Sequence, residues 1–118
     1  MDIETENKIL EIRHSIMVLR DHADMDYANK RLKELNEESQ QNNLWDNRIN
    51  AEKVLREKNQ LEKTIKTILD LERDVEDAEE LIKIGISEDD DVVVNEVNKV
   101  IEDLLKICSQ KQIEALLS

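Results

Sequence analysis

Few residues in this 118-residue sequence carry chemistry, and their spacing decides what they can do. Cys108 is the only cysteine, and His14 and His22 are the only histidines. Nucleophilic catalysis needs a thiol beside a base that a third group orients. Cys108 instead lies among apolar residues at helical spacing and reads as a small buried hydrophobe. Glu11 and His14 make a single Glu-x-x-His, whereas a di-iron bundle takes two such pairs and two further inward-facing glutamates. They read as exposed groups on a helix face, and His22 as a helix-end residue. The acidic run Glu88–Asp91 has the charge of a calcium site but not the alternating ligands, mid-loop glycine and closing glutamate of a calcium loop; a helix amino terminus explains it better. No catalytic, cofactor-binding or metal-ligating residue is therefore expected. Trp45 stands apart, as a lone tryptophan in a polar stretch. It is either an anchor for a partner, since tryptophan is enriched among binding hot spots, or packing at a helix junction. Its place directly before a helix cap favours packing.

The elements that would position these residues are all helical. From Asn47 to Ile84 the chain is strongly charged and free of glycine and proline, and its apolar residues recur at steps of three and four. The stripe Leu61, Ile65, Ile68, Leu71, Val75, Ala78, Ile82 keeps one face apolar along a single long helix. At 1.5 Å per residue such a helix is roughly 57 Å long, against a radius of gyration near 13 to 14 Å for a compact globule of this length, roughly estimated. The expectation is an all-α fold, an elongated antiparallel bundle of one domain over 1–118, with one long central helix at about 47–84.

Around that helix the rest follows in order. Residues 2–22 give a first helix on Ile9, Ile12, Ile16 and Leu19, with acids in its first turn. Asp24 or Asp26 can cap a second helix over 26–38, striped by Ala28, Leu32 and Leu35, with Lys30–Glu34 and Lys33–Glu37 spaced to pair. Two short consecutive helices favour a hairpin. Ser39–Asn43, SQQNN, competes with helix through its own side chains and reads as a loop. Asp46 or Asn47 then caps the long helix, and Trp45 is placed to fold back near Ile49, Asn50 or Ala51. Gly85, the only glycine, can close that helix in the left-handed conformation. The sequence SEDD at 87–90 starts a last helix over about 88–111, with Val93, Val97, Val100, Leu104 and Ile107 central and Val94, Ile101, Leu105 and Cys108 on the adjoining edge. Residues 112–118 form a tail that looks cut rather than finished.

Composition limits the partners. The formal charge of −12 is uneven: residues 61–118 carry 16 acids and 7 bases, and residues 1–60 carry 13 acids and 10 bases. Because nucleic-acid affinity comes mainly from Lys and Arg displacing counterions, the acidic half repels phosphate, and DNA is not an expected partner. A basic protein would be drawn to it. A single cysteine fits a reducing compartment, and no apolar run approaches the roughly 18 residues that span a bilayer, so a cytoplasmic location without membrane contact is expected.

Two segments, DYANKRLKELNEES and NLWDNRINAEKVLREKNQLEKTI, resemble the amino-terminal helical domain of bacterial peptide chain release factors, class I factors of type 2 in particular. The matching features are Ala28, Arg31, Leu32, Glu34 and Leu35 in the second helix, the Leu44-Trp45-Asp46 junction, and Ala51, Arg56 and Leu61 in the long helix. The closing Glu114-Ala115-Leu116-Leu117-Ser118 is similar to the point where the family's chain passes into its codon-reading domain. The resemblance implies a factor that directs termination at UGA and UAA codons by reading the codon in the ribosomal A site and placing a Gly-Gly-Gln loop in the peptidyl transferase centre. One glycine and no proline leave this sequence without that loop and without the Ser-Pro-Phe type tripeptide that reads UGA. It implies, further, a largely monomeric fragment that is not itself an enzyme and needs no cofactor. Its implied partners are the ribosome, at the GTPase-associated region of the stalk base, and the GTPase-type release factor. The alternative, drawn from the residues alone, is a free-standing coiled-coil scaffold that self-associates along the Leu61 to Ile82 stripe.

Overall fold

The computed structural model describes residues 1–118, as four α-helices without a β-strand. Helix α1 spans Ile3–Ala23, α2 Met25–Ser39, α3 Arg48–Ser87 and α4 Asp91–Leu117, with a 3-10 turn at Leu44–Asp46 before α3. No helix is long and apolar enough to cross a membrane. The chain divides into two compact units, one of residues 1–22 and 68–118, the other of residues 23–67. Helix α3 is 40 residues long and contributes Arg48–Thr67 to one unit and Ile68–Ser87 to the other.

In the first unit three apolar stripes close on one another. Ile9, Ile12, Ile16 and Leu19 from α1, Ile68, Leu71, Val75, Ala78 and Ile82 from α3, and Val97, Ile101, Leu104 and Cys108 from α4 are all buried. Each large aliphatic removed from water in this way contributes about 1.5 to 3 kcal/mol before entropy is set against it. Charged side chains at the edges fix the register. Arg13 reaches Glu79 at 3.3 Å and Arg20 pairs with Glu72, so α1 runs antiparallel to α3. Thr5 to Asn98, Lys8 to Glu102 and His22 to Ser118 set α1 parallel to α4. Asp2 caps α1 by accepting from the Thr5 amide at 2.7 Å, and that donated N–H holds its carboxyl below the usual aspartate range.

The second unit is a helical hairpin, α2 against the start of α3. Leu35, Leu44, Ala51 and Val54 form its buried cluster, with Leu61 packed against them. Arg31 on α2 bonds Glu57 on α3, which fixes the antiparallel register. Ala28 and Met25 are also buried on α2.

Several local expectations give way to different devices. Gly85 does not end the long helix, which runs three residues past Ile84 to Ser87; the glycine is buried inside it and has no positive φ. Its role is close approach, because a Cβ there would lie 3.0 Å from Val93 Cγ1 and 3.1 Å from Val94 Cγ2 at the start of α4. The left-handed residue is Asp89, at φ 53. The Asp90 amide bonds the Gly85 carbonyl at 2.8 Å and the Asp89 amide the Ile86 carbonyl at 3.2 Å, the paired closure of a Schellman ending with aspartate in glycine's usual place.

Helix α4 is capped not by Ser87 but by Asp90, whose carboxylate accepts from the Val93 amide at 3.2 Å. It continues through the supposed tail to Leu117. Its buried face is also turned from the expected one: Ile101 and Cys108 are central, whereas Val100 and Ile107 are each 46% exposed. The first two helices do not share a hairpin core, since α1 packs in the first unit and α2 in the second. Only Asp24 stands between them, left-handed at φ 51, where it ends α1 and caps α2 by accepting from the Tyr27 amide.

Candidate functional site

Trp45 lies in the 3-10 turn that follows the polar loop, where Asn47 caps α3 by accepting from the Asn50 amide at 3.1 Å. Its neighbour Leu44, 8% exposed, is the residue seated in the α2–α3 cluster. Trp45 itself is 60% exposed and Ile49, one turn on, is 81% exposed. Against the expected fold-back of Trp45 near Ile49, Asn50 or Ala51, the tryptophan stays largely exposed and Leu44 is the residue buried at the junction. The alternation follows from the tight turn, which can direct only one of two adjacent side chains inward. What remains is an exposed aromatic and aliphatic pair at the hairpin's tip, flanked by Arg48, which pairs with Glu52 at 3.0 Å.

Arg31, one of the residues that carry the family resemblance, has a partner that the sequence did not disclose. It donates from Nε to Glu57 Oε2 at 2.7 Å and from Nη2 to Glu57 Oε1 at 2.9 Å, with Nη1 3.3 Å from Glu34. Of the expected pairs along α2, Lys30–Glu34 gives place to Arg31, which takes Glu34 at 3.3 Å beside its fork on Glu57, since a guanidinium presents two parallel donors that match a carboxylate; the expected Lys33–Glu37 pair does not form. Hydrogen bonds from Arg31 hold the Glu57 carboxyl below the usual glutamate range, and Glu57 and Glu34 in turn raise the guanidinium's already high value. Lys8, between Glu4 and Glu102, is likewise raised by its bond to Glu102, whose own carboxyl is lowered by it.

The residues weighed for chemistry lie apart. Glu11 and His14 are exposed on α1, His22 lies at that helix's end 3.4 Å from the Ser118 hydroxyl, and Cys108 is fully buried with its thiol pushed up by desolvation. Asp89 and Asp90 shape the α3–α4 turn. No three potential metal-ligating side chains converge. The arrangement offers surfaces for recognition: the Trp45 tip, and exposed apolar residues on the flank of the α3–α4 pair, Leu81, Val100 and Ile107. The latter were hidden in the sequence because a helical period alone does not say which edge of a wide stripe stays wet.

Residues 28–118 match the PCRF domain family. Over 118 residues the sequence is 34% identical to peptide chain release factor 2 of Paramagnetospirillum magneticum, covering 100% of this chain and 32% of that protein. It is 31% identical over 117 residues to peptide chain release factor 2 of Ruegeria sp., covering 99% of this chain and 31% of that protein. With peptide chain release factor 2 of Proteus mirabilis the identity is 31% over 113 residues, 96% of this chain and 31% of the relative. The chain thus spans about a third of the length of the curated relatives it matches.

Proposed function

This chain belongs to the PCRF-domain family, and we propose on that footing that it is the ribosome-docking module of a type 2 peptide chain release factor, which directs termination at UGA and UAA codons. The observation that carries the proposal is a similarity running the length of the chain, to relatives each named peptide chain release factor 2. In this reading the 118 residues form a helical domain that precedes the codon-reading and Gly-Gly-Gln domains. It docks at the GTPase-associated region of the stalk base, meets the GTPase-type release factor, and works in the cytoplasm as a monomer. It promotes no hydrolysis itself: its single glycine excludes the Gly-Gly-Gln loop from these residues, and the ribosome's own centre carries out the reaction.

The structure bears on the rival scaffold. Of the Leu61 to Ile82 stripe that a self-associating coiled coil would use, the residues from Ile65 on are buried and Leu61 is partly buried, so dimerisation along it would require helices to part. A chimera tests the proposal. A type 2 factor whose corresponding segment is exchanged for this chain should release peptide from ribosomes stalled at UGA and UAA but not at UAG, at a rate close to the parent factor's. A chimera that associates no faster than a factor lacking the segment altogether would contradict it, as would peptide release by the isolated chain.

A further inference from the structure

One surface of the first unit has the form of a recognition site. Between α3 and α4 runs a groove of about 230 Å³, floored by Ala78, Leu81, Val97, Val100 and Leu104 and bordered on α3 by Asp74 and Asp77. Leu81 is 48% exposed and Val100 46%, and Ile107, one heptad beyond Val100, is 46% exposed and extends the apolar line. On α4, Glu96 and Asp103 flank Val100 at four and three residues' distance, which puts them on the same side of the helix. Both are exposed. Asp74 pairs with its chain neighbour Arg73 at 3.4 Å. No basic residue lines the groove.

The geometry points to a basic amphipathic helix, supplied by a protein partner, as the occupant of this groove. Apolar side chains at i, i+3, i+4 and i+7 would fill the line Leu81–Val100–Ile107, as in other helix-in-groove contacts, while flanking Lys or Arg would meet Asp74 and Asp77 on one bank and Glu96 and Asp103 on the other. Charge decides among occupants. A second copy of this chain, itself at −12, would set acid against acid, and a phosphate backbone would be repelled from both banks. This reading of the groove comes from its own residues and stands whether or not the chain docks on the ribosome.

The probe is an N-acetylated, carboxamidated Leu/Lys helical peptide of about 18 residues, ~27 Å long when helical, titrated into the 15N-labelled 118-residue chain at 150 mM salt. Amide shifts should cluster in 74–81 and 97–107. Asp74→Lys with Asp77→Lys should weaken binding by about tenfold or more, and Val100→Ser, which keeps the rim charges, by several-fold. Glu76→Lys with Glu80→Lys, the same change in charge off the groove, should leave the affinity within about twofold. Equal losses from both double reversals would overturn the proposal, since general acidity would then explain the binding. So would shifts spread over α1 or α2, a concentration-dependent dimer whose shifts map to the groove without peptide, or an RNA oligonucleotide that shifts the same amides.

Discussion

Arg31 on α2 and Glu57 on α3 meet through two parallel hydrogen bonds, at 2.7 and 2.9 Å, across the hairpin of the second unit. The pair lies outside the apolar cluster of Leu35, Leu44, Ala51 and Val54 and fixes how α2 is set along α3. Its effect depends on pH with a definite sign. Glu57's carboxyl is lowered in the folded chain, first by the bonds from Arg31. Its contribution is therefore present above the unfolded glutamate value of about 4.3 and disappears as pH falls through the lower folded value. Glu57→Gln should lower the melting temperature at pH 7 and flatten the loss of stability below about pH 4.5. Arg31→Met should reproduce both effects, and Arg31→Lys should recover only part, because an ammonium cannot match the fork. Thermal melts from pH 3 to 7 check this.

Gly85 offers a test in which two ordinary effects oppose each other. In a helix interior, glycine to alanine gains up to about 1 kcal/mol. Here the new methyl group would stand 3.0 Å from Val93 Cγ1 and 3.1 Å from Val94 Cγ2. Crowding of that kind costs about 1 to 3 kcal/mol, so Gly85→Ala should destabilise, by about 1 kcal/mol net. Urea denaturation reads it directly. A stabilised variant would show that α4's first turn shifts away freely.

Asp89 and Asp90 are adjacent, similar in chemistry, and expected to respond with opposite signs. Asp89 holds φ 53 as the left-handed residue that ends α3, so Asp89→Gly should stabilise by about 0.5 to 1 kcal/mol. Asp90 caps α4 at the Val93 amide, so Asp90→Ala should cost about 1 kcal/mol. Chemical denaturation of the two variants under one condition decides the matter.

Cys108 is fully buried and its thiol is raised by desolvation. Because the thiolate is the reactive form, labelling by an aromatic disulfide at pH 8 should await opening of the first unit. Its rate should become independent of reagent concentration at high reagent and rise with urea. Immediate labelling in the absence of urea would contradict the burial.

How far the sequence disclosed this structure depends on the kind of signal. Most of the α3 stripe was legible, since Ile65, Ile68, Leu71, Val75, Ala78 and Ile82 are all buried as their period requires, and Leu61 at its start is partly buried against the hairpin cluster. A sustained apolar repeat in a charged helix has few other solutions. The ends were less legible. Glycine is the commonest left-handed residue, yet the side chains of Val93 and Val94 at the start of α4 come so close to Gly85 that glycine serves inside the helix, and Asp89 makes the turn. At the hairpin tip both Leu44 and Trp45 are large and apolar, and only the turn's geometry decides that Leu44 goes in. On α4 the wide band left its centre undetermined by about one residue, enough to expose Val100 and Ile107.

The central claim is that this chain is a module for docking on the ribosome, and co-sedimentation tests it most directly. The labelled 118-residue chain should pellet with large ribosomal subunits at close to one copy each at low salt, weaken as salt rises, and be displaced by an intact type 2 release factor. A folded chain that stays in the supernatant at every salt concentration, or that pellets undisplaced by the factor, would contradict the account.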